Sequence, residues 1–174
     1  MEENKLKSRK YALKFGVIAG AISLVFSLML FFQEMHYEQN TVATIVGISI
    51  LFAVIAFGIN QYKKDNEGFL KLGQAIKLGT GIALVAGLIG LVYYGLLSND
   101  IIEPGFTEKA VAIAKEKTFA DNPNLTQEQW DQGLEMQNKF KFLAYPLILV
   151  FNAILGLIAG LVFGLIMKKD KSTY

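Results

Sequence analysis

Four stretches of the chain carry no Asp, Glu, Lys or Arg: Phe15–Phe32, Val42–Ile59, Leu78–Leu97 and Leu147–Met167. All the charge lies between or outside them. A hydrocarbon core about 30 Å thick takes roughly 20 helical residues at about 1.5 Å each. Flanking polar residues that reach toward the headgroups make each run long enough to cross. The pattern predicts an all-α membrane protein, a single four-span domain over residues 1–174, with spans at about 15–32, 42–61, 77–97 and 142–167. The spans pair as two hairpins in the same orientation. A long polar, helical segment, residues 98–141, separates the third from the fourth. The competing arrangement is a soluble bundle of buried helices, but such helices keep a charged stripe and these runs have none.

Within the polar segment, Pro104-Gly105 marks a turn. Thr107 is placed to cap a short helix whose modest apolar face is Ala110, Val111, Ile113 and Ala114. Asp121-Asn122-Pro123-Asn124 ends it. A second helix start is better specified. Thr126 with Gln129 three residues later fits a capping box, and Leu125 with Trp130 fits a hydrophobic staple. Only Gly133 interrupts Gln127–Tyr145, so this helix is expected to continue into the fourth span, kinked at Pro146. Trp130 either packs on the shorter helix or is presented to a partner. Before the third span, Gly68–Lys77 reads as a short amphipathic interfacial helix or as the plain start of that span.

Charge adds an orientation. Twelve Lys and Arg fall on the face that carries both termini, including Lys5, Lys63, Lys71, Lys168 and Lys171, against five in residues 98–141. Cytoplasmic loops are enriched in Lys and Arg, which predicts cytoplasmic termini and an extracytoplasmic polar segment. The loop after the first span has Glu34 and Glu38 but no basic residue, which agrees. The basic start resembles a signal peptide, yet its apolar run exceeds the usual 7–15 residues and lacks a small-residue cleavage site, so it reads as a retained span. Composition points the same way: 53% hydrophobic and 18% charged residues, against roughly 25% charged in a soluble globule.

Small residues recur every four positions: Gly156, Gly160 and Gly164 on the fourth span, Gly79, Ala83 and Gly87 on the third, Ala12, Gly16 and Gly20 on the first. Each row leaves one helix face without side chains, the kind of face through which membrane helices approach closely. The rows serve packing within the chain or, for the fourth span, a contact between two copies. Lys14-Phe15-Gly16 and Lys77-Leu78-Gly79 open their spans alike, consistent with either a duplication or the cheap likeness of apolar segments.

Candidate chemistry is sparse. Cysteine is absent, which excludes disulfides and thiolate chemistry. The span centres offer only Ser23, Ser27, Ser49, Thr80 and Asn152, whereas coupled transporters place carboxylates there. Asn152 is suited to hydrogen bonding across helices. The one histidine, His36, stands between Glu34 and Glu38. Alternate positions on an extended loop would bring all three to one side, as a metal site needs, although a short solvated loop is the simpler reading. Nucleotide-binding, serine-hydrolase and zinc-protease motifs are missing, and the cytoplasmic lysines mark topology rather than a nucleic-acid surface. Asn124-Leu125-Thr126 matches the glycosylation acceptor pattern, which matters only in a glycosylating cell.

The stretches KFGVIAGAISLVFSLMLFF, GFLKLGQAIKLGTGIALVAGLIGLVYYGLL and IIEPGF resemble a family of bacterial four-span membrane proteins known only as a domain of unknown function. The resemblance implies a bacterial inner membrane location and carries over no catalytic, cofactor or metal residues. The expected function is therefore non-enzymatic: an envelope interaction or structural protein that uses its extracytoplasmic helical segment. The alternative is a small oligomeric transporter or channel. Its partners are expected to be the lipid bilayer, an envelope protein or a second copy of the chain, with no nucleic acid.

Overall fold

The computed structural model describes residues 2–37 and 40–170, with side chains from Ser8 onward. Among these residues the fold is all-α. Four long helices are α1 (Glu2–Phe32), α2 (Thr41–Asp65), α3 (Leu72–Ser98) and α6 (Ala144–Met167). Segments long and apolar enough to cross a membrane are Ser8–Phe32, Thr41–Asp65, Leu72–Ser98 and Lys141–Met167. Two further helices, α4 (Phe106–Asp121) and α5 (Gln127–Lys139), lie between the third and fourth.

Helix ends follow local chemistry. The Asn40 side chain accepts from the Val42 and Ala43 amides at 2.9 and 3.2 Å, capping α2. Gln74 Oε1 accepts the Lys71 amide at 2.9 Å, so α3 starts at Leu72. Residues 68–71 are a connector and not a separate interfacial helix, and the span simply starts there. Glu67 and Gly68 turn the chain with positive φ. Leu70 then exchanges two backbone hydrogen bonds with Lys169 at 2.9 and 3.0 Å. That bridge ties the α2–α3 connection to the foot of α6, and Tyr11 donates to Asp65 at the same end. Both chain ends thus share one face of the bundle with the α2–α3 turn.

The chain rises and falls as two hairpins, but its closest packing converges on α3. A methyl group on Gly79 would sit 2.5 Å from the Gly156 carbonyl oxygen, and one on Gly160 would sit 2.8 Å from that of Ala75. Gly164 faces Ala75 and Leu72, and Gly87 faces Asn152. The numbers run in opposite directions, as antiparallel helices require. On the other side of α3, Gly16 fits against Val85 and Gly20 against Ile89, a parallel crossing between hairpins. With lipid outside, such backbone proximity gains dispersion contacts that larger side chains would prevent. Asn152 turns its amide back to the Ile148 carbonyl at 2.9 Å, within its own helix, rather than across to a neighbour.

The core sits toward the end that holds the termini. Phe15, Ile55, Ile59, Tyr62, Leu70, Leu78 and Ile82 are all buried there. Toward the opposite end, α1 beyond Gly20 has no buried residue. The bundle is sealed at one end and looser where α4 and α5 attach.

Candidate functional site

Two turns build the base of the α4–α5 arm. After α1 ends at Phe32, Glu34 adopts φ 57° and Met35 donates its amide to the Leu30 carbonyl at 3.0 Å. This turn folds His36 and Tyr37 back over the end of the helix. After α3, Asp100 (φ 56°) and Gly105 (φ 81°) reverse the chain twice within six residues. The second is a left-handed conformation that glycine adopts without a Cβ penalty. Gly105, and not Thr107, precedes the first turn of α4. The Thr107 amide is instead taken by Asp100 Oδ1 at 2.9 Å.

Glu103 sits where the two turns meet. Its carboxylate accepts the Tyr37 hydroxyl and the Lys109 ammonium (3.1 Å) at Oε1, and pairs with His36 Nε2 (3.0 Å) at Oε2. His36 and Glu103 side chains are only 8% and 17% exposed. Rings cover them: His36 lies 4.7 Å from Phe31 and stacks at 14° on Phe106, which also stacks on Tyr37. The Lys109 ammonium stands 5.8 Å over the Tyr37 ring.

The hydrogen bond from Tyr37, helped by Lys109 and His36, pulls the Glu103 carboxyl down to about 2. Tyr37 is raised, chiefly because Glu103 holds its proton, and Lys109 is raised chiefly by its bond to Glu103. Chemically the cluster is a latch: one ionised acceptor gripping donors from the first turn and from α4.

The solvated loop expected around His36 is therefore replaced by a nearly buried histidine with a partner 67 residues away. Glu34 lies exposed on the turn, and Glu38 lies outside the described residues. Among the described residues no three His, Asp or Glu side chains converge as a metal site would need.

Above the latch the arm is open. A cleft of about 580 Å³ runs between α4 and α5 and down to the end of α3, with Tyr94, Phe106, Ile113, Trp130, Leu134 and Lys141 in its walls. No residue of α4 or α5 is buried. The helices meet through Phe119 and Trp130, whose ring centres are 6.2 Å apart. Trp130 thus faces α4 and the cleft together. The capping box at Thr126 is present: its hydroxyl accepts the Gln129 amide at 3.3 Å, and Gln129 Oε1 accepts the Thr126 amide at 3.0 Å.

The expected continuous helix into the fourth span is not what forms. α5 stops at Lys139, a short 3-10 turn covers Lys141–Leu143, and α6 starts afresh at Ala144. Pro146 falls in the first turn of α6, where its missing N–H has no partner to lose. A new start replaces the predicted kink. Lys141 reaches across to donate to the Ser98 carbonyl at 3.0 Å, closing the base of the arm.

The seven glycines singled out for helix packing (Gly16, Gly20, Gly79, Gly87, Gly156, Gly160 and Gly164) all have neighbours within this one chain. The Glu103 latch was missed in the sequence. Its partners stand far apart in two short turns, and only Pro104-Gly105 hinted that the second turn was tight.

No curated protein and no solved structure matches the chain. A family does: residues 14–169, nearly the whole bundle and the arm, match the one described as protein of unknown function (DUF4199), and the chain belongs to it.

Proposed function

We propose that this is a non-enzymatic protein of the bacterial inner membrane whose α4–α5 arm engages another envelope component on the extracytoplasmic side. The observation that carries this reading is the arm itself. Two helices are anchored firmly at their base, by the Glu103 latch and Lys141, yet bury none of their own residues. Their facing apolar side chains line a cleft instead of a core. Half-buried apolar side chains around an open cleft on an anchored element suit an interaction site.

The excess of Lys and Arg at the opposite end, where the termini gather, supports cytoplasmic termini. A transporter reading has less support, because the glycine rows are closed against neighbouring helices rather than lining a path.

Replacing Phe106–Lys139 with a short Gly/Ser linker tests the reading. The shortened protein should still insert and should lose whatever co-purifies with the full chain in mild detergent. Unchanged co-purification would overturn it. Orientation is checked separately, because the chain has no cysteine. With Asp131→Cys, a membrane-impermeant thiol reagent added outside intact cells should label the protein. With Lys10→Cys it should not, and the reverse pattern would invert the topology.

A further inference from the structure

We propose that the cleft between α4 and α5 receives one acyl chain of an anionic phospholipid from the adjacent leaflet, with the phosphate held at Lys141. This names the chemistry of the envelope component and rests on the arm being the working part of the protein.

Position comes first. The cleft is floored by Tyr94, near the end of α3, and by Lys141, the first residue of the fourth candidate span. Its lower end therefore lies at the level of the headgroups. Apolar side chains are exposed near the same end of the arm: Ile101 is 66% exposed in the α3–α4 turn, and Phe140 and Phe142, either side of Lys141 in the chain, are 48% and 65% exposed. Together with Leu143, also exposed, they continue the apolar surface of the spans to the base of the arm. Aromatic side chains in such a place sit well at a membrane interface.

Lining comes next. Phe106, Ile113, Trp130 and Leu134 are the large apolar side chains of the cleft, whose walls also hold Gln137 and Asn138. The Thr118 hydroxyl is turned back on the Ala114 carbonyl at 2.7 Å, and that of Thr107 toward the Ser98 carbonyl at 3.5 Å. Both hydroxyls are thus turned to the backbone, and the large apolar side chains are left to receive a flexible hydrocarbon chain. The volume of about 580 Å³ is within the roughly 300–1,000 Å³ typical of single-ligand sites.

Charge sets the headgroup. The ionised side chains in the walls are Lys117, Lys141 and Asp121, which leaves an excess of one positive charge. An ammonium carries three N–H donors. Lys141 uses one on the Ser98 carbonyl, so others remain for a phosphate at the height where phosphates lie.

Trp130 is the only tryptophan and therefore reports from inside the cleft. It stands nine residues before the end of α5, roughly 14 Å along the helix at about 1.5 Å per residue. The full-length protein is placed in nanodiscs whose anionic phospholipid carries bromine on its acyl chains. Trp130 fluorescence should be quenched, and brominated zwitterionic lipid should quench it less. Ala114→Phe, which fills the cleft from the α4 side, should remove the quenching. Lys141→Gln should erase the preference for anionic lipid, and circular dichroism checks that both variants keep their helices.

No quenching of the unaltered protein would overturn the proposal. So would equal quenching by both lipids, or quenching that survives Ala114→Phe, which would mean that the arm lies on the bilayer. If quenching is absent while the arm deletion still loses its co-purifying partner, the interaction reading stands and the lipid site falls. If the deletion loses nothing and Asp131→Cys is not labelled from outside, the underlying reading fails instead.

Discussion

The bundle and the arm are made of similar helices packed by opposite rules. In the bundle, α3 approaches α6 so closely that Gly79, Gly156 and Gly160 have no room for a methyl group. In the arm, α4 and α5 surround about 580 Å³ of open space and leave no residue fully buried. Lipid supplies no hydrophobic drive between helices, so the bundle depends on backbone contact and loses stability with any added atom. The arm is bathed in water, where apolar side chains facing a gap gain only if something fills it. One region is closed against itself and the other leaves a cleft open.

The largest expected effect is on the bundle. Gly156→Leu would push a side chain into Ala83 and the α3 backbone, where even a Cβ lies 2.5 Å from the Ala83 Cβ and 2.6 Å from the Gly79 oxygen. Overpacking of this kind costs about 1–3 kcal/mol, sometimes more. Here the neighbour is backbone and cannot step aside, so α3 and α6 must separate. Thermal unfolding in detergent should fall sharply or the protein should fail to accumulate. An unchanged midpoint would mean that the α3–α6 contact is not what holds the bundle.

How much of this was legible beforehand follows the same division. Charge-free runs near twenty residues and four-residue glycine spacing are local signals. They located all four spans and the faces of the rows, because in lipid each helix must satisfy its own backbone. The Thr126 capping box is local too, and it forms. The latch is not local. His36 and Tyr37 meet Glu103 only because two turns with positive φ at Glu34, Asp100 and Gly105 fold toward each other. His36 has Glu34 and Glu38 as sequence neighbours, while its partner Glu103 is 67 residues away. The break after Lys139 was hidden for a related reason: nothing between Lys139 and Tyr145 is a strong helix breaker. The turn there goes with a contact distant in sequence, Lys141 on the Ser98 carbonyl.

The latch separates the two regions experimentally. Glu103→Gln removes the charge that Tyr37, Lys109 and His36 share. Limited proteolysis within residues 106–139 should then accelerate several-fold while the unfolding midpoint of the bundle stays nearly unchanged. A bundle that melts with the arm would show the two to be one cooperative unit. Acid should act on the same group. The folded Glu103 carboxyl lies at about 2 against an ordinary 4.5. Its contribution is thus complete above about pH 4.5, falls progressively below that, and is gone once pH has dropped through about 2. Carbonyl-labelled Glu103 followed by NMR should titrate well below the other arm carboxylates. Titration near 4.5 would mean that the latch is open in solution.

The smallest effect gives the cleanest contrast, because it compares one substitution in both regions. Gly160→Ala would bring a methyl to 2.8 Å from the Ala75 carbonyl oxygen, whereas at Gly133, in α5, a methyl meets nothing within 4 Å. Alanine in place of an unobstructed helical glycine stabilises by about 0.5–1 kcal/mol, through the backbone freedom that glycine loses on folding. Gly133→Ala should therefore slow amide exchange in α5 by roughly two- to fivefold, while Gly160→Ala destabilises the bundle. The opposite signs follow from space alone. Were Gly133→Ala to speed exchange, the α5 face carrying Gly133 would have to be packed against something, and the arm would be less open than its cleft implies.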